Sequence, residues 1–486
     1  MTTEPTTRSH AARDVVVQLV GRLVNLGLGV VVTIVVTRSL GVDDFGQWAA
    51  FLAIVTIVGA VADLGLAQVA VREAAAAPAD RAAWLGALVG WRALLAVPAA
   101  LIALGLELLV AHGTSQAVAG ALLAATLLAG VPAALSGAMF QLQVRNDRSV
   151  AVMTLNSVLW TAGAAAVAAL GGGLLGFAAV LLASSAFTAV LGAGWALRTG
   201  EIALRGVREH GRTLLRVGVV VGIGATLTVS YGKVDQVLVL HYTGEHGAGL
   251  YGTAYLLLDR AQFAPMALIA TIYPLLSAAW PADPERSRRI VQQGIEYMAI
   301  VSLPAFGFTL LAGRPLIRLL FGADFAPAGA ILPVLMAAFV LTSLGYVAGY
   351  LALIVGRQGR FVGIAAAALV LNVVLNVILL PRYGYQAAAW VTLASEVIVI
   401  AAATRTTFPV LGLRVAPGRL PQIVAATAVM TAAVWALREA GAGIVVLIAA
   451  AGLVYAAALP LTGGLRQEDR RLVLSLLRRR PAPAAE

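Results

Sequence analysis

The sequence predicts an all-α polytopic membrane protein of about 14 transmembrane helices: two pseudo-symmetric six-helix lobes plus two C-terminal helices. Three observations predict it. The 486 residues are 60% hydrophobic and 12% charged, with a mean hydropathy of +0.91, whereas soluble domains carry about 25% charged residues. Apolar runs recur along the whole chain, most near the roughly 20 residues that a helix needs to cross a bilayer. The basic residues alternate from one connection to the next, as the positive-inside rule requires.

The N-terminal stretch MTTEPTTRSHAARD (1–14) is polar and lacks the apolar region and small-residue cleavage site of a signal peptide, so it reads as a cytoplasmic tail. The first lobe occupies 15–197, with spans at about 15–37, 49–71, 84–110, 117–142, 149–170 and 174–197. A basic cytoplasmic linker, RTGEIALRGVREHGRTLLR, fills 198–216. The second lobe occupies 217–404, with spans at about 217–240, 250–278, 290–312, 331–354, 361–380 and 386–404. Two last spans, about 421–437 and 442–462, lie within 405–463, and a basic cytoplasmic tail covers 464–486.

The arginines test that count. With the N-terminus inside, 25 of the 34 basic residues fall on the inner side and five (Arg38, Arg314, Arg318, Arg382 and Arg438) outside. A missed or invented helix would scramble this alternation downstream. The net charge of +11 is therefore a product of topology, and nucleic acid is not an expected partner. Zero cysteines exclude disulfides, thiol catalysis and cysteine metal sites. No phosphate-binding loop, HExxH pair or nucleophile elbow is present, so neither a catalytic residue nor a metal or other cofactor is expected, and the chain reads as a non-enzyme.

The stretch from Arg216 to Ser277 organises the rest. It holds two long apolar runs joined by a polar turn, yet Lys233, Asp235, Asp259 and Arg260 sit inside them. Lys233 is the only lysine, against 33 arginines. An ionised group at membrane depth costs roughly 2.5–3.5 kcal/mol on insertion scales and normally marks function. There is also an internal echo: Gly41, Gly46 and Trp48 follow the first span as Gly244, Gly249 and Tyr251 follow the seventh, at a constant offset of 203 residues. Parallel repeats of this kind build two-lobed transporters with a site between the lobes.

The segment VTRSLGVDDFGQWAAFLAIVTIVGAVADLGLAQVAVRE resembles the opening of bacterial oligosaccharide flippases of the Wzx type. The segment KVDQVLVLHYTGEHGAGLYGTAYLLLDRAQFAPMALIATIYPLLS is similar to the start of their second lobe, and the 6 + 6 + 2 layout fits over the whole chain. The resemblance implies the fold of the multidrug/oligosaccharidyl-lipid/polysaccharide exporter superfamily. It implies as substrate an oligosaccharide on a polyprenyl diphosphate, moved from the inner to the outer leaflet of the cytoplasmic membrane for surface polysaccharide synthesis. The partners it implies are that substrate, membrane lipid, and the polymerase and glycosyltransferases of the same pathway. Lipid II flippases share the layout. A cation-coupled multidrug exporter of the superfamily is the alternative; its drug site would favour acidic and aromatic residues. A non-transporting assembly scaffold leaves the mid-span charges unexplained.

Helical rise places the charges in depth. Arg22, Asp63 and Arg92 fall roughly 10–12 Å from the cytoplasmic side, and Lys233 and Asp259 roughly 12–14 Å from the outer side. Arg22, Arg92, Lys233 and Arg260 are the candidate ligands of a diphosphate, since cations in a screened site neutralise it and arginine binds its oxygens bidentately. Asp63, Asp235, Asp259 and Glu396 are candidate ion-coupling acids. The pairs Arg22–Asp63 and Lys233–Asp259 can equally be read as buried pairs that fix helix packing. Among weaker candidates, Glu107 is expected to reach the outer interface, and Asn372 and Asn376 to bond across helices. Gly218/Gly222 and Gly345/Gly349 permit close helix approach, and Pro265 and Pro274 are expected to kink the eighth span.

Overall fold

The computed structural model describes residues 6–413 and 417–466, with side chains described from Val24 onward except that of Asn146. All its regular elements are helical. In chain order they are α1 (Thr6–Asp63), α2 (Leu66–Ala76), α3 (Arg81–Val110), α4 (Thr114–Leu142), α5 (Asn146–Leu170), α6 (Gly173–Leu197), α7 (Gly206–Glu209) and α8 (Gly211–Tyr231). Then follow α9 (Val234–Ala261), α10 (Phe263–Ala279), α11 (Pro284–Phe321), α12 (Leu332–Ile354), α13 (Gln358–Tyr383), α14 (Tyr385–Thr407), α15 (Leu420–Glu439) and α16 (Ile444–Leu461). Twelve helical stretches among the described residues are long and apolar enough to cross a membrane.

Two of these stretches, Val24–Ala76 and Gly211–Ala279, have 53 and 69 residues, far beyond the roughly 20 of one span. Each is divided by a glycine. Gly41 has φ 73° and ψ −178°, and Gly244 has φ 72° and ψ −176°. A side chain rarely adopts that backbone state, whereas glycine enters it freely. The break sets off two segments in each stretch. The two breaks are 203 residues apart and share one conformation, so the sequence echo is a structural repeat.

The chain divides into two compact units. One comprises Met1–Gly252 and Ala365–Ala388, the other Thr253–Ile364 and Ala389–Glu486. In the first, α2, α3, α4, α6 and α8 share a core built on Leu66, Trp84, Leu88, Phe140 and Leu214. The basic linker is folded onto it. Ala203 N–H donates to the Ala82 carbonyl at 2.8 Å, and His210 stacks on Trp84 with ring centroids 4.2 Å apart. In the second unit, α10, α11 and α12 pack through Ile269, Leu276, Met298 and Leu351, while α15 and α16 cover α11 through Ile423, Met430 and Leu447.

The boundary between α9 and α10 falls at Gln262, where Pro265 is expected to loosen the span: its missing N–H leaves the Ala261 carbonyl without the donor four residues on. Pro274 lies inside α10. Most of the basic tail, and Arg414 in the preceding loop, lie outside the described residues.

Candidate functional site

Five of the charges singled out from the sequence, Asp63, Lys233, Asp235, Asp259 and Arg260, stand at or near helix boundaries, whereas Arg92 lies within α3 and Glu396 within α14. Asp63 is the last residue of α1, and Leu64 and Gly65 after it take φ of 45° and 66°. Lys233 lies in the two-residue gap between α8 and α9, with Asp235 in the first turn beyond. Asp259 and Arg260 precede the Gln262 gap. An interrupted helix frees backbone groups that water, side chains or ligand must satisfy, and membrane proteins tolerate this where the backbone lines a cavity or is covered by protein.

In the first unit, Arg92 Nη1 donates to Asp63 Oδ1 at 2.8 Å, and Nη2 donates to the Gly130 carbonyl at 3.3 Å. Both side chains are partly buried, 17% and 32% exposed. Arg92 is thus the partner of Asp63 among the described side chains; the side chain of Arg22 lies outside them. Gly130 also lines a cavity of about 460 Å³ between α4, α5 and α6, whose polar lining is Thr126, Ser136, Ser149, Asn156, Ser185 and Thr188. The guanidinium has five donors in a planar fork, so a side chain spending two of them here keeps capacity for an anion.

The break at Leu64–Gly65 is seated on α8. A Cβ built on Gly222 would lie 2.2 Å from the Leu64 carbonyl carbon, and one on Gly218 would lie 3.1 Å from the Leu64 oxygen. Gly218/Gly222 is therefore a true close-approach pair. Gly345 meets nothing within 4 Å, and Gly349 meets only the Phe361 ring.

Asp235 is 1% exposed and accepts hydrogen bonds from the Tyr251 hydroxyl and the Gln236 backbone N–H. Tyr251 is the aromatic residue of the second glycine motif. Its counterpart Trp48 instead stacks on Trp160, with centroids 6.0 Å apart. At the position 203 residues before Asp235 stands Val32, which is buried. The repeat has thus kept an aromatic anchor in both copies and given only the second an acid. Tyr251→Phe leaves Asp235 buried with one donor fewer, and a loss of about 1–3 kcal/mol is expected in thermal unfolding of the detergent-solubilised protein.

In the second unit, the Tyr346 hydroxyl donates to Gln262 at the helix gap. Tyr346 is within electrostatic range of Asp259, Glu396 and Tyr350, and Tyr350 packs edge-on to Tyr273 with centroids 5.5 Å apart. Asp259 and Glu396, 137 residues apart in sequence, thus both lie within electrostatic range of one tyrosine. Arg260 is exposed and Lys233 half-buried. Tyr346 and Gln262 carry no charge, and nothing in the sequence pointed to them.

The two glycine motifs meet within the first unit. A Cβ on Gly46 would lie 2.1 Å from the Glu245 carbonyl oxygen, and one on Gly249 would lie 1.9 Å from that of Val42. Since 245 is 42 plus 203 and 249 is 46 plus 203, the contact is reciprocal, as across a two-fold axis. Asp43 Oδ1 and His246 Nδ1, again equivalent positions, are 2.9 Å apart. Glu245 takes a hydrogen bond from Gln116 at 2.9 Å and stands 3.4 Å from His112.

Two weaker expectations are corrected, and one buried acid joins them. Asn376 donates to the carbonyl and side-chain oxygens of Asn372, both at 3.0 Å, so the pair bonds along its own helix. Glu107 does not reach the interface; it is fully buried. Glu296, an acid inside the ninth span that the sequence reading passed over, is fully buried and paired with Arg419 at 2.7 Å. An acid within an apolar run was the available signal.

A family model described as polysaccharide biosynthesis protein matches residues 35–330. The probable low-salt glycan biosynthesis flippase Agl15 of Haloferax volcanii is 25% identical over 167 residues, which make up 34% of this chain and 35% of that relative. The match thus spans about a third of the relative's length. Among solved structures, lipid II flippase MurJ in an inward closed conformation aligns with a TM-score of 0.75 at 12% identity, covering 94% of this chain and 100% of the other. An inward-facing multidrug resistance MATE family transporter of the MOP superfamily aligns with a TM-score of 0.66 at 16% identity, over 82% and 98%. At such identities the likeness is one of fold. The family match covers more than half of a chain whose helices are long and apolar enough to span a bilayer many times, and this protein accordingly belongs to the polysaccharide biosynthesis protein family of multi-pass membrane proteins.

Proposed function

We propose that the protein is a flippase. It carries a polyprenyl-diphosphate-linked oligosaccharide from the inner to the outer leaflet of the cytoplasmic membrane by alternating access, with both termini in the cytoplasm and no catalytic step. The observation that carries this reading is Arg92, tied to Asp63 at a helix break and hydrogen-bonded to Gly130, which lines a cavity with hydroxyl and amide groups. A guanidinium is suited to diphosphate oxygens, and hydroxyl and amide side chains are suited to sugar. Lys233 and Arg260 supply further cations at the second and third breaks. The family and the glycan flippase relative support the same class of substrate. Glycosyltransferases would make this substrate and a polymerase would consume it.

A second reading, a cation-coupled multidrug exporter, is favoured by one feature: the acids Asp259 and Glu396, both within electrostatic range of Tyr346. The same acids are candidates for coupling to an ion in the flippase.

The test is transfer of a fluorescent polyprenyl-diphosphate glycan across proteoliposome leaflets, beside efflux of a cationic dye. Charge-assisted hydrogen bonds are worth about 1.5–3 kcal/mol, so Arg92→Ala and Lys233→Ala are each expected to slow glycan transfer by about 10- to 100-fold. Lys233→Glu should be worse, and Lys233→Arg should keep part of the rate, because it retains the charge but changes its geometry. Dye efflux with no glycan transfer would overturn the flippase in favour of the exporter.

A further inference from the structure

Among the described residues, Glu107 is the one fully buried acid with neither carboxylate oxygen hydrogen-bonded. It stands on α3 one turn before the helix ends at Val110. A Cβ built on Gly120 of α4 would lie 3.1 Å from Glu107 Cβ, 3.4 Å from its Oε2 and 3.4 Å from the Phe51 ring. Gln47, also fully buried, donates to the Val110 carbonyl at 3.1 Å, and its own Oε1 lacks a partner. Gly120 and Phe51 thus lie beside Glu107, and Gln47 holds the end of the same helix at Val110; none of the three is charged. The ionisable groups beyond this end of α3 engage one another: His112 with Glu245, and Asp43 with His246, with Asp44 beside Asp43 and Glu245. The helices α2, α7 and α8 meet α3 near its other end, at Trp84, Gly86, Gly90 and Trp91.

A buried carboxylate with neither a cation nor a donor costs several kcal/mol even after the surroundings relax. The neutral acid escapes that cost. Gln47 and Phe51 belong to the segment whose Gly46 touches Gly249, so the stretch of α1 beside Glu107 is continuous with one side of the reciprocal contact of the two glycine motifs. We propose that Glu107 is a proton-binding site: it holds a proton while segments 42–49 and 245–252 are together and releases it to water when they part. Opening turns the acid into a carboxylate plus a proton. Closing takes a proton back. A pH difference across the membrane would then bias the contact open or closed, and this last step rests on the transport reading above.

The binding step is tested without any glycan. In infrared spectra of the full-length protein, the carbonyl stretch of a neutral carboxylic acid should be present at neutral pH and lost in Glu107→Gln, a neutral side chain of nearly the same shape. A spectrum unchanged by that substitution would overturn the proposal. The chain has no cysteine, so Asp43→Cys with His246→Cys can be joined by a short bis-maleimide. The joined protein should keep the neutral-acid band to a higher pH than the same double variant left unjoined. Equal titration of the two forms would refute release on opening, and because both keep Glu107, misfolding of Glu107→Gln cannot mask the result. In proteoliposomes, Glu107→Gln should lose the stimulation of transfer by a pH gradient while keeping gradient-independent transfer. Failure of that arm alone would fault the transport reading and leave the proton site standing.

Discussion

Gly249→Ala and Gly46→Ala are each expected to force the two glycine motifs apart. The added methyl would stand 1.9 Å from the Val42 carbonyl oxygen in one case and 2.1 Å from that of Glu245 in the other. Both obstacles are backbone, so no rotamer change relieves them. Overpacking usually costs about 1–3 kcal/mol, and a clash that must be met by moving a helix end belongs at or above the top of that range. Such a cost lowers the population of the packed state by about 100-fold. The measurement is cross-linking of Asp43→Cys to His246→Cys in membranes, which should be efficient in the parent and nearly absent once either alanine is added. Gly105→Ala is the control, because nothing lies within 4 Å of its added methyl; cross-linking should be unchanged. Equal yields in all three backgrounds would mean that the reciprocal contact is not a close-packed one.

Breaking the Glu296–Arg419 pair should unseat the last two helices. Glu296 Oε2 accepts from Arg419 Nε at 2.7 Å, and its Oε1 accepts from the Arg419 backbone N–H at 3.1 Å. Arg419 also donates to the Gly464 carbonyl at 3.1 Å, and its guanidinium lies 5.6 Å from the Tyr297 ring centroid. One arginine at the start of α15 thereby joins α11 to the end of α16. Removing either partner leaves a buried charge, so Glu296→Ala or Arg419→Ala should cost about 3–5 kcal/mol. Arg419→Lys should not restore the loss, since an ammonium cannot reproduce the fork. Replacing both residues by methionine should recover much of it, because an apolar pair leaves no charge stranded. Thermal unfolding of the four variants in detergent decides this. Additive losses in the double variant would show that the two charges do not act as a pair.

Much of the architecture was legible because its causes are local. A span is an apolar run of fixed minimum length, and the arginines count the crossings, so composition and order along the chain determined an all-helical membrane protein. The repeat was legible too, since glycine is required wherever the chain takes the backbone state of Gly41 and Gly244. Lys233, Asp235, Asp259 and Arg260 stood out because a charge in an apolar run is costly.

Which neighbours such charges meet was decided by the tertiary structure. Depth along a helix is a one-dimensional quantity, and partner choice is not. Asp63 meets Arg92 because α3 passes the end of α1, and α12 brings Tyr346 within electrostatic range of both Asp259 and Glu396. The boundaries at Lys233 and Gln262 stand beside Gly232 and Pro265, but which groups satisfy the backbone there is set by what packs over it. Glu107 shows the same limit most plainly. Its position near a span end suggested the interface, but Gly120 and Phe51 close over it. Burial by a neighbouring helix is a property of packing, so the sequence by itself determined which residues were costly, and only the fold decided which of those costs were met by a partner.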